Sequence, residues 1–189
     1  MQMSGRTVQS SGALFFLFLI GALGVSLIPS ALLLGCAVPQ PRPVAEQAAE
    51  MERAHCGVDV DEASLAPLFS SDTVDSVEPI YTAVSSGGRG VGGNYSQLSG
   101  ASIKVRAVKS FSAAWLDRAL ECHSARRVLG QIPATTLPDD PFWLPGRMVN
   151  IEVAATHAGF QIFIRGQNIK DAEEILNRAN AFVEARARR

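Results

Sequence analysis

The sequence predicts an α+β domain: a two-layer sandwich with an antiparallel four-stranded sheet, two helices on one face and a short helix in front. Three observations carry this. Apolar and polar residues alternate in separate stretches, most clearly 149–154 and 160–165. Each alternating region is followed by a segment whose apolar residues recur at helical spacing. Glycine and proline fall between these segments, where turns are needed. With 189 residues, 47% apolar and 19% charged, the chain can form one modest core with appendages and is not a wholly disordered polymer.

Residues 44–56 read as a helix, rich in Ala, Glu and Met and stopped by Gly57. Residues 59–76 are acidic and turn-rich, interrupted by the apolar run 65–69. Residues 77–84 hold β-formers, and Pro79 marks that strand as an edge or bulge. Residues 85–93 are glycine-rich, 94–100 read as a continuing loop, and Ile103, Val105 and Ala107 then alternate as a half-buried strand. The first strong helix is 111–129, capped by Ser110 or Ser112 and ended by Gly130, with Arg126 and Arg127 in the last turn where the helix dipole favours cations. Residues 131–146 carry four prolines and form a loop. A hairpin follows, Val149, Ile151 and Val153 against Phe160, Ile162 and Ile164, turning at His157-Ala158-Gly159. Asn168 caps the last helix, whose apolar stripe is Ala172, Ile175, Leu176, Ala179, Phe182 and Val183. The resulting ββαββα order over 76–185 becomes βαββαβ when its first strand is moved to the end, so it resembles a permuted ferredoxin-like arrangement.

The amino terminus carries the address. Residues 13–28 are uncharged and dense in Leu, Phe and Ile, preceded by the single charge Arg6. Pro29 and Ser30 break the run, and Leu33-Leu34-Gly35-Cys36 closes it. An apolar core ending in a small residue is the pattern of an export signal. The closing residues resemble the lipobox of bacterial lipoproteins. That resemblance implies cleavage before Cys36, acylation of its thiol, and a membrane partner reached through lipid; more than one acyl chain anchors firmly. Ala37, where the enteric sorting rule would need Asp for inner-membrane retention, implies the outer membrane. An uncleaved span over 12–35 is the competing reading. The predicted divisions are a signal peptide 1–35, a Pro-rich tether 36–43, a helix and acidic linker 44–75, the α+β domain 76–185 and a basic tail 186–189. Taking Arg6 from the 17 basic residues leaves 16 against 18 acidic, a net of −2, which offers nothing to nucleic acid.

With Cys36 acylated, Cys56 and Cys122 form an even pair in an oxidising compartment, and a disulfide is expected. The alternative is a metal site from His55, Cys56, Cys122 and His123, although adjacent helical residues diverge by about 100°. Gly88, Gly90 and Gly93 match G-x-G-x-x-G in form but precede no helix, and read as a hairpin loop. Asp139 and Asp140 read as a solvated turn rather than a calcium site. Phe142, Trp143 and Leu144 lie among prolines and are the expected contact surface for another envelope protein. No cofactor is expected. The sequence thus reads as a lipid-anchored, non-catalytic binding or assembly module. The alternative is a periplasmic protein or enzyme handling a ligand or metal through the glycine-rich loop or the His/Cys pairs.

Overall fold

Two strand–strand–helix units follow one another in the computed structural model, which describes residues 41–57, 59–69, 73–85 and 94–187. The signal segment 1–35, Cys36 and the glycines 88, 90 and 93 lie outside the described residues. Helix α1 (Val44–His55) and a short 3-10 turn (Glu62–Leu65) lead into β1 (Val74–Ser85), β2 (Asn94–Arg106) and α2 (Ala113–Val128). A loop then carries the chain to β3 (Asn150–Thr156), β4 (Gly159–Arg165) and α3 (Ile169–Ala187). The four strands form one antiparallel sheet in the order β1-β2-β4-β3. Among the described residues no helix is long and apolar enough to cross a membrane.

Register explains which residues are inside. Ile103 of β2 lies opposite Val77 of β1 and Ile162 of β4, and Ile151 of β3 lies opposite Ile164. Because side chains alternate across a strand, these positions share one face. On that face Ala101, Ile103, Val105, Ile151, Ile162 and Ile164 are buried together with Leu116, Ala119 and Leu120 of α2 and Ile175, Ala179 and Phe182 of α3. The other face carries charge, with Lys104 paired to Glu78 and Arg165 to Glu152. Helix α1 packs on α2 through a smaller cluster of Ala48 and Ala125, joined by Met148 from the segment before β3.

Both long helices start where their capping residues stand. The Ser112 hydroxyl accepts from the Trp115 amide at 3.2 Å, and the Asn168 side chain accepts from the Asp171 amide at 3.0 Å. Gly130, at φ 72°, ends α2 in the left-handed conformation that only glycine adopts without strain. At the β3–β4 turn a Cβ on Gly159 would stand 2.2 Å from the Val105 carbonyl oxygen, so the turn can lie against β2 only as glycine.

Three expectations need correction. Strand β2 begins at Asn94, not near 103, because pairing with β1 holds 94–100 in the ladder despite weak strand formers; a register shift opposite Ile80/Tyr81 absorbs the irregularity. The acidic linker is not merely a linker, since Leu65 and Leu68 are fully buried. Phe142 and Leu144 are not offered to a partner: at 1% and 3% exposure they fill the core, and Phe142 meets Phe182 edge-on at 6.1 Å. Trp143 is half-buried and meets two guanidiniums, Arg127 at 4.5 Å and Arg178 at 5.5 Å from the ring centroid.

Candidate functional site

The sulfurs of Cys56 and Cys122 are bonded to each other, with Cα atoms 5.1 Å apart. This union takes both thiolates out of the metal set. The flanking histidines leave it too, each toward different carboxylates. His55 Nδ1 lies 2.7 Å from Glu121, whose carboxyl is held above its ordinary range chiefly by burial, with His55 opposing that rise. His123 turns inward. The four residues therefore do not converge on one point. His157 is exposed in the hairpin turn.

His123 is the centre of a buried charge cluster drawn from three separate segments. Its Nδ1 lies 2.7 Å from Glu62 Oε1 on the 3-10 turn, and its Nε2 lies 2.7 Å from Asp140 Oδ2 in the long loop. Arg127, one helical turn further along α2, places Nε 3.1 Å from the same Asp140 oxygen. Its two terminal nitrogens each donate to a carbonyl, Nη1 to Pro133 and Nη2 to Leu137. The second Asp140 oxygen accepts from the Phe142 amide at 2.9 Å. His123 is 2% exposed, and the side chains of Arg127 and Asp140 are wholly buried.

Burial alone would lower the His123 pKa, but hydrogen bonds to Asp140 and Glu62 and the charge of both carboxylates outweigh it, raising it to about 9. At neutral pH the ring is therefore an imidazolium donating from both nitrogens. Two cations and two carboxylates balance, which is the condition under which charge can be buried at all. An imidazolium with both N–H groups committed has no lone pair to accept a proton. It ties the 3-10 turn, α2 and the long loop together through its two carboxylates.

The cluster has an open side. Glu62 and His123 line a cavity of about 260 Å³ whose other walls are Ala66, Phe69, Ile132, Thr136 and Leu137. A second hollow, about 390 Å³, lies between α3 and the 144–147 turn. Its charges largely neutralise one another, through Arg147 with Asp171 and Arg178 with Glu174.

Asp140 overturns the expectation of a solvated turn, and Arg127, in the last turn of α2 as expected, also pairs with that buried acid. The signal available for the helix residues was spacing. Leu116, Leu120, His123 and Arg127 follow each other at intervals of four, three and four, so the two cations continue the apolar stripe. No comparable signal marked Asp140 or Glu62. No family model, curated protein or solved structure matches the chain.

Proposed function

We propose that the chain is a lipoprotein of the bacterial cell envelope, anchored through acylated Cys36 to the outer membrane, and that its folded domain is a non-catalytic binding or assembly module. The observation that carries this is the uncharged run 13–28 closing on Leu33-Leu34-Gly35-Cys36. The cysteine arithmetic supports it: Cys56 and Cys122 pair with each other, which leaves Cys36 as the one remaining thiol of three. A bonded pair also suits an oxidising compartment. Binding is favoured over catalysis because His123, the one buried histidine among the described residues, has both nitrogens committed. Within the same proposal, the sheet order β1-β2-β4-β3 and the core shared by α2 and α3 support a permuted ferredoxin-like sandwich.

Mass spectrometry of the protein purified from membranes tests the anchor. A chain that begins at a diacylglyceryl-modified Cys36 is expected, and replacing Cys36 by Ser should leave the signal uncleaved. An intact Met1 on the unaltered protein would overturn the proposal.

A further inference from the structure

We infer that the cavity beside His123 binds a medium-chain carboxylic acid, whose carboxylate takes the place of the Glu62 side chain on the His123 ring while its tail lies along Phe69, Ile132 and Leu137. The inference rests on the reading of the domain as a binding module and names its ligand class.

Four features of the site lead to it. The first is an uneven distribution of polarity. Phe69, Ile132 and Leu137 supply half-buried apolar walls and Ala66 and Thr136 an exposed rim, while the ionic groups, Glu62 and His123, share one hydrogen bond. A site that is apolar except at one cationic point suits an apolar molecule with one anionic end. The second is that the two carboxylates on His123 are held very differently. Asp140 is wholly buried and further fixed by Arg127 and the Phe142 amide. Glu62 is 39% exposed, and its link to His123 is the polar contact that holds its carboxylate. Glu62 is therefore the carboxylate that can yield its place by swinging toward solvent, and an incoming acid would restore the same carboxylate contact and the same N–H donation at Nδ1.

The third feature is room for a tail. A further hollow of about 240 Å³ shares Phe69, Thr136 and Leu137 with the first and runs on to Pro138, Phe182 and Ala185. This adjoining hollow gives the tail room along Phe69 and Phe182, while Asp139 and Thr136 make part of its wall polar. The fourth separates an acid from a peptide. An extended peptide needs backbone partners, and the Pro133 and Leu137 carbonyls of this loop are already taken by Arg127.

The probe is decanoic acid carrying an aliphatic diazirine, photolysed with the full chain in phosphatidylcholine nanodiscs and mapped by peptide mass spectrometry. Saturable labelling is expected in the peptides that contain Phe69 and Ile132–Leu137. Glu62→Ala, which removes the internal competitor, should lower the half-saturating concentration roughly five- to tenfold. Ala66→Trp, a change at an exposed rim position, should abolish labelling while leaving the circular dichroism of the domain unchanged. Labelling confined to residues 1–40, or equal labelling by the matching diazirine decanol, would overturn the inference. So would an unchanged half-saturating concentration in Glu62→Ala. The mass of the amino terminus in the same preparation reports on the Cys36 anchor separately, so either idea can fail alone.

Discussion

His123 shows how a residue that looks available for chemistry becomes structural once its neighbours are known. Its pKa stands at about 9 in the folded domain against an ordinary 6.5. Protonation therefore favours the folded state, by on the order of 3 kcal/mol for a shift of this size. That stabilisation is complete below about pH 6.5 and disappears as pH rises through about 9, where the ring becomes neutral in both states. Urea titrations at pH 6 and pH 9.5 should show a lower midpoint at the higher pH, and the difference should shrink in His123→Gln. Removing the shared carboxylate should be harsher. Asp140→Ala strands an imidazolium and a guanidinium without their common partner, for an expected loss of about 3–5 kcal/mol in the same titration. The two cations were half-legible in the sequence, since both continue the stripe of α2. Their acid was not, because Asp140 reaches them only after the proline-rich loop has folded back across the helix.

At the level of elements, the ends of helices were more legible than the lengths of strands. A helix cap is a local hydrogen bond, and Ser112 and Asn168 announce it in the sequence; Ser112→Ala should cost about 1 kcal/mol in thermal or urea unfolding. A strand depends on its neighbour, and residues 94–100 join the ladder only because β1 lies beside them. The sheet has two outer strands, and each has a device that discourages further pairing. In β1 it is Pro79, which lacks a backbone donor. In β3 it is a side chain from the helix: Asp117 of α2 accepts from the Val153 amide at 3.0 Å. Asp117→Ala would free that donor. The expected result is a loss of about 1 kcal/mol and slow self-association of concentrated protein, measured by urea denaturation and sedimentation velocity.

Across the whole molecule, Cys56 and Cys122 join positions separated by 66 residues, so their bond closes a long loop. By the chain-entropy model such a bond contributes roughly 4 kcal/mol, and Cys56→Ala/Cys122→Ala should lower the unfolding free energy by about that amount. Parity made this pairing legible before any geometry was known. The use of the two hollows was not legible, because their walls come from a 3-10 turn, a helix and a loop that meet only in the folded state. The Phe142–Leu144 segment shows the same limit. Aromatic residues among prolines have the composition of a contact surface, and only the third dimension reveals that Phe142 closes the core against Phe69 and Phe182.

The place of that disulfide also has a mechanical meaning. It clamps the chain just after α1 ends, not where α1 begins. If the chain is held at Cys36 as proposed, tension enters the domain at the first residues of α1, which is kept on α2 by the Ala48 cluster and by the His55–Glu121 pair. Those 12 residues can peel away before any load meets the covalent stop. As helix they span about 18 Å, and drawn out they reach about 40 Å. Under the proposed anchoring, unwinding α1 adds roughly 20 Å of travel with a fixed end point at the disulfide, so a tug on the anchor is met by α1 and its contacts with α2 before it reaches the sheet.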